Sequence, residues 1–297
     1  MQTEFPTLAY LAVIAGALLH ASWNVAIRSG TDRRMETARL VAGGSIVAAA
    51  VLPFMRQPAP AAWPHLAITA ILHVVYFGLL AAAYARARVA VSYPLMRGAA
   101  PLLVLLAAVW LFQEPLTLPA VAGVGMVGLG VLLMRVRLLP GESSAVGYAL
   151  LNAAVIAAYT LNDAAGARVS GAPMAYALWT FPLTALPTLA WLLRRRGLTA
   201  LLALDRPLPR DGAASPWRAS LRPVLRGLGG GASSLGSYAL ALWAMTVAPV
   251  AQVAALRETA MLFGVLLAWI FLHERPHLHG WIALALIAAG AVMLRLG

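Results

Sequence analysis

Two arginines stand deep inside long apolar runs of this sequence. Arg97 lies about eight residues into the run near Val89–Phe112, and Arg257 about eight residues into Pro249–Leu272. A guanidinium is always charged, and its fork of N–H donors matches a carboxylate or a phosphate. In the middle of a lipid-spanning helix it costs about 2.5–3.5 kcal/mol on insertion scales, so each must face protein interior or a wet cavity. The chemistry on offer is capture of an anionic group. The competing account is an internal pair, for example Arg257 with Glu258 or with Asp163. Asn24, Asn162 and Asp163 lie late in two further apolar runs, where polar side chains line a cavity or bond between helices. Asp163 is also a candidate proton site. Trp23, Tyr76, Tyr84, Tyr93, Tyr159, Trp179 and Tyr238 are candidates for an aromatic cavity wall, with interfacial belts and lipid-facing packing as the plainer account. His20 and His73 read as buried polar contacts that could also meet a substrate.

One motif invites an enzymatic reading. His273-Glu274-Arg275-Pro276-His277 is literally H-E-x-x-H, with His279 nearby. On a helix that spacing places two histidines on one face around zinc, with the glutamate as base. Pro276 breaks the helix that this geometry needs, and no acidic third ligand stands in a partner motif. A polar span end is the plainer account. The glycine- and serine-rich stretch Gly227–Ser237 lacks the strand and the lysine of a phosphate-binding loop, and reads as close helix packing or a flexible gate.

The elements that carry these residues follow from composition. Of 297 residues, 62% are hydrophobic and 11% charged, with a mean hydropathy of +0.81. Soluble domains are about 45–50% apolar and about 25% charged, so the chain is expected to be dissolved in lipid. Ten apolar runs are long enough to span. They lie near Phe5–Ile27, Ala38–Phe54, His65–Ala85, Val89–Phe112, Leu116–Met134, Ala145–Ala165, Met174–Leu193, Val224–Val247, Pro249–Leu272 and Leu278–Leu294. They are continuous rather than alternating, which excludes barrel strands. Without a basic stretch before it, and with His20, Trp23 and Asn24 inside it, the first run is not expected to be a cleaved signal. Pro94 and Pro101 interrupt the fourth run, Pro182 and Pro187 the seventh, and Pro249 opens the ninth; these are candidate hinges or static kinks.

All 22 basic residues are arginine, and the net charge is +12. Seventeen of them gather in the connections after odd-numbered spans, eight of those around the long basic loop 194–223, against three on the other side. The positive-inside rule then puts the odd connections in the cytoplasm and both termini outside. The same excess of charge therefore does not signal nucleic acid. The absence of cysteine excludes disulfides, thiolate metal sites and a cysteine nucleophile.

Shifting the chain by 160 residues lays Arg97 on Arg257, Glu114 on Glu274, Gly130 on Gly290 and Arg135 on Arg295, without a gap from 82 to 137. Two repeats are implied, 1–138 and 143–297, each with five spans. Five is odd, so the second repeat enters the membrane from the opposite side. Inverted repeats are the architecture of alternating-access carriers, whose site lies near the midplane.

Here a resemblance becomes specific. Leu111-Phe112-Gln113-Glu114-Pro115 and Phe271-Leu272-His273-Glu274-Arg275 resemble the span-end motif of EamA-type transporters of the drug/metabolite transporter superfamily. His20-Ala21-Ser22-Trp23-Asn24 and Ala158-Tyr159-Thr160-Leu161-Asn162-Asp163 resemble the family's first- and sixth-span motifs. The resemblance implies a ten-span carrier, usually with both termini inside, against the arginine distribution. It also implies a substrate among amino acids, sugar phosphates, nucleotide sugars and drugs, and in the sugar-phosphate carriers basic residues in these two spans serve binding.

The expectation is an all-α integral membrane protein of ten transmembrane helices in two inverted five-helix repeats. It is expected to be a secondary transporter, not an enzyme, for an anionic or zwitterionic metabolite such as an amino acid, carboxylate, phosphate ester or phosphonate. The expected binding residues are Arg97, Arg257, Trp23, Asn24, Tyr76, Tyr93, Asn162, Asp163 and Glu258, with Pro94, Pro101, Pro182 and Pro249 as hinges. The alternatives are an amphipathic drug or cation exporter and, distantly, an intramembrane zinc protease. Partners are a small molecule and the lipid bilayer, with the chain a monomer or homodimer in a bacterial inner membrane. No cofactor and no ATP-binding motif are expected.

Overall fold

The computed structural model describes residues 6–28, 33–87, 89–133, 143–186, 216–272 and 278–296, and among them there is no strand. The helices are α1 (Thr7–Arg28), α2 (Arg33–Val51), α3 (Trp63–Tyr84), α4 (Val89–Leu111), α5 (Leu118–Leu133), α6 (Ser143–Ser170), α7 (173–186), α8 (Pro216–Val247), α9 (Val250–Leu256), α10 (Thr259–Leu272) and α11 (Leu278–Leu296). In lipid a backbone must bond within itself, and a helix does so along its whole length. Among the described residues six helical segments are long and apolar enough to cross a membrane, and Arg39–Phe54 and Leu118–Leu133 are shorter apolar helices.

The distribution of side-chain size is that of a bundle in lipid. The outward faces carry bulky apolar groups such as Leu11, Ile71, Leu106, Trp110 and Ile282. The interior is dominated by alanine, with leucine and valine after it. Lipid tails are as apolar as leucine, so association relies on close backbone approach rather than on withdrawal from water. The glycines show how close. A Cβ on Gly231 of α8 would lie 2.1 Å from the Gly44 nitrogen of α2, and one on Gly227 would lie 2.8 Å from the Arg39 carbonyl. The glycine-rich middle of α8 is therefore a packing face.

α1 packs on α8 and α10, and α6 packs on α3 and α4. α5 and α11 pack on each other. At that last contact a Cβ on Gly130 would meet Ile287 and the Ala283 carbonyl, while one on Gly290 would meet Val127 and the Gly123 carbonyl. Those two sets of contacts exchange under the 160-residue register. The connections after even-numbered spans meet at one end of the bundle: Ala59 donates to the Ser170 carbonyl at 2.9 Å, and Glu114 accepts from the Val250 amide at 2.6 Å.

Three boundaries differ from the sequence expectation. The run Pro249–Leu272 is two helices, not one. Arg257 and Glu258 form a turn between them, in which the Glu258 amide donates to Ala255 at 3.0 Å and the Ala260 amide to Arg257 at 3.1 Å. These tight i→i−3 bonds, with the Thr259 hydroxyl on the Leu256 carbonyl at 2.7 Å, narrow the helix where its charges sit. α8 begins at Pro216, inside the stretch read as a basic loop to 223, because arginine and leucine favour helix whether or not lipid surrounds them. α6 continues past Ala165 to Ser170.

Candidate functional site

α4 carries Arg97 into the middle of the bundle, and the α9–α10 turn brings Arg257 and Glu258 to meet it. Arg97 Nη2 lies 2.9 Å from Glu258 Oε1, and Arg97 Nε donates to Glu258 Oε2 at 3.0 Å. This is a two-point fork between α4 and the α9–α10 turn. The acid pairs with Arg97 and not with its sequence neighbour Arg257. Gly98 stands where the 160-residue register would require the matching acid for Arg257. Among the described residues Arg257 forms no ion pair and no side-chain hydrogen bond. Its guanidinium carbon sits 5.5 Å from the centroid of the Tyr238 ring, in a cation–π contact.

Tyr238 leads to Asp163, the second focus. Asp163 is fully buried on α6, and its Oδ1 accepts from the Tyr176 hydroxyl at 2.8 Å and from the Thr69 hydroxyl. Its Oδ2 accepts from the Tyr238 hydroxyl. Four elements thus converge on one carboxylate: α3, α6, α7 and α8. Gly166 makes room for this, since a Cβ there would lie 2.5 Å from the Tyr176 hydroxyl. The network continues through Asn162, whose Nδ2 donates to Thr69 Oγ1 and to the His65 carbonyl at 2.8 Å each. His65 Nδ1 donates to Asn162 Oδ1 at 2.9 Å.

Aromatic side chains surround the charges. The His73 ring lies 4.7 Å from that of Tyr159, and Tyr76 lies 6.2 Å from both. Tyr76, Tyr93 and Tyr159 are all near enough to Arg97 to interact with its charge, and His20 is that near to both arginines. His20 also makes an edge contact with Trp23 at 4.9 Å, and the indole N–H of Trp23 is buried with no hydrogen-bond partner. Such a donor is complementary to an acceptor that the protein itself does not supply.

Most of the residues singled out by type and depth therefore come together: Arg97, Arg257, Glu258, Tyr76 and Tyr93 around the pair, and Asn162 and Asp163 around the network. Asn24 stands apart from them, exposed and bonded to its own helix at the His20 carbonyl, 2.8 Å away. Pro94 and Pro101 lie inside α4, which remains helical around them, and Pro182 lies inside α7. Pro249 is the N-cap of α9. Pro187 and the H-E-x-x-H segment 273–277 lie outside the described residues, among which no cluster of histidine and acidic side chains could hold a metal. Thr69, Tyr176 and His65 are the network members that sequence reasoning missed. A lone threonine in an apolar run carries no signal by itself; the Gly166 opening opposite Tyr176 is visible only in three dimensions.

A separate clamp lies at the end of the bundle. Glu114, from the span-end motif, accepts the Val250 and Ala251 amides at 2.6 and 3.3 Å, at the start of α9. Arg168 lies 3.5 Å from Glu114, donates to the Met245 carbonyl at 2.9 Å and covers the Phe112 ring at 4.6 Å. The motif glutamate that follows α4 thus caps α9.

Comparison with known proteins bears on the whole chain. The model of the EamA-like transporter family matches twice, over residues 7–136 and 143–296. A solved crystal structure, titled only as that of a protein, is 23% identical and superposes with a TM-score of 0.69 over 97% of this chain and 98% of its own. At that identity the likeness shows a common fold. No curated protein matches the sequence.

Proposed function

We propose, from the premise that this chain belongs to the EamA-like transporter family, that it carries a small metabolite with an anionic group across the membrane by alternating access. The family places it among the membrane transporters of the drug/metabolite superfamily. The observation that carries the substrate class is Arg257: a half-buried guanidinium with no ion pair among the described residues, while its repeat-mate Arg97 is satisfied by Glu258. An anion of carboxylate, phosphate or phosphonate type would complete it. A free carboxylate beside an ammonium, as in an amino acid, fits equally, because Glu258 and the tyrosines flank the same place.

Alternation would follow from two inverted five-span halves. The exchange of α1–α8 with α6–α3, and of the Gly130 and Gly290 contacts, supports that symmetry. The turn at Arg257–Glu258 breaks the ninth span beside the proposed site, as discontinuous helices do in carriers of this kind. The arginine asymmetry supports both termini outside, and the use of arginine without lysine supports a bacterial membrane.

The test is thermal unfolding of the purified protein against succinate, glutamate, glycerol 3-phosphate, methylphosphonate and tetramethylammonium. A ligand at about 100 times its Kd adds about 2.7 kcal/mol to the folded state. Stabilisation by an anion that is lost in Arg257→Ala supports the reading. Stabilisation by tetramethylammonium alone favours a cation exporter, for which the Arg97–Glu258 pair and the aromatic surround are the supporting observation. Loss of function on chelation would revive the zinc-protease alternative.

A further inference from the structure

We infer that Tyr238 is a positioning residue for Arg257, and that Asp163, Thr69 and Tyr176 form the buried anchor that holds it. The inference rests on the anion reading above and says how the protein keeps a cation ready without consuming its donors.

A bare guanidinium in a membrane bundle needs a counter-charge. The direct solution, used by Arg97, is a fork onto a carboxylate. That solution occupies the N–H groups that would grip a substrate. Arg257 has a different arrangement. Its guanidinium lies over the Tyr238 ring, so a π-system meets its charge beside the Glu258 carboxylate that Arg97 already holds, and it makes no side-chain hydrogen bond among the described residues. The Tyr238 hydroxyl donates to Asp163. Donation to a carboxylate pushes electron density into the phenol ring, which strengthens the face that Arg257 rests on. The negative charge of Asp163 therefore reaches Arg257 through a ring instead of through a salt bridge.

The anchor is built to stay put. A carboxylate offers about four lone-pair positions, and here three are filled, by hydroxyls on α3, α7 and α8. Asp163 is fully buried, so water does not compete. Phe181 contacts the Tyr238 ring edge-on at 6.3 Å, which restrains its tilt. Nothing in this set needs a substrate to be complete, whereas Arg257 does.

The experiment is a double-mutant cycle. Binding of succinate and of inorganic phosphate is measured by titration calorimetry for the parent, Tyr238→Phe, Asp163→Asn, the double variant and Arg257→Ala. Circular dichroism and thermal midpoints check that each is folded. Tyr238→Phe keeps the ring and loses only the hydroxyl, so a bundle that needs the ring for packing is unharmed. The expected result is about a tenfold weaker Kd for Tyr238→Phe and for Asp163→Asn, with the double variant no worse than either, because both cut one link. Tyr238→Leu, which removes the ring itself, should weaken binding further, and Tyr238→Trp should restore part of it. Parent-like Kd values in Tyr238→Phe, or effects that multiply in the double variant, overturn the inference while leaving the anion reading intact. Parent-like binding in Arg257→Ala, or no binding of either anion to the parent, removes the anion reading and the inference with it.

Discussion

Arg97 and Arg257 match each other under the 160-residue shift of the sequence but meet different partners. Arg97 with Glu258 is a paired, dehydrated unit. Removing one member of a buried pair leaves the other uncompensated, at about 3–5 kcal/mol. Arg97→Ala should therefore lower the unfolding midpoint sharply, and the Arg97→Met, Glu258→Met double variant should recover most of the loss in the same thermal scan. Arg257→Ala should act the other way round. Its stability should stay close to the parent's, since no acid is left stranded, and the loss should appear in anion binding alone. Separate effects of this kind in a thermal assay with and without ligand would distinguish the two arginines.

At the scale of elements, backbone contact and helix capping decide whether the bundle closes. α2 and α8 touch through glycines, and a Cβ on Gly231 would lie 2.1 Å from a backbone nitrogen that cannot move aside like a side-chain tip. Gly231→Ala should thus depress folded yield and midpoint, while Gly229→Ala, with nothing within 4 Å of its Cβ, should leave both unchanged or slightly raised by helix propensity. Glu114 ties α9 to the first repeat. Glu114→Ala would leave the Val250 and Ala251 amides without their acceptor, at about 1–3 kcal/mol for each buried group left unpaired, while Arg168 keeps the Met245 carbonyl. Glu114→Gln, which still accepts from the amides, should lose much less. Urea or thermal unfolding of the three proteins in detergent checks the ordering.

For the whole molecule the arginine asymmetry and the gathering of even-numbered connections at one end make a single prediction. The parent has no cysteine, so single thiols report sidedness cleanly. Arg56→Cys and Pro115→Cys, both exposed in even-numbered connections, should react with a membrane-impermeant maleimide added outside intact cells. Arg86→Cys, exposed in an odd-numbered connection, should react only after the membrane is opened. The reverse pattern would put both termini inside.

The sequence by itself determined the solvent and the helical class. Each of these is a property of composition, and lipid leaves a backbone few alternatives to the helix. The family motifs around Glu114, Trp23 and Asn162 were equally readable, because they are contiguous. What only the tertiary structure decided is pairing. Glu258 follows Arg257 in the chain yet bonds Arg97, 161 residues away, because the turn after Leu256 directs neighbouring side chains to different sides. Asp163 collects hydroxyls from three other helices, and no spacing along a chain encodes contacts made between helices. Hydropathy likewise read one span where the charges at its centre divide it into α9 and α10. Apolar runs report that a segment is buried in lipid; which polar groups meet inside the bundle is settled by how small-residue faces let the helices approach.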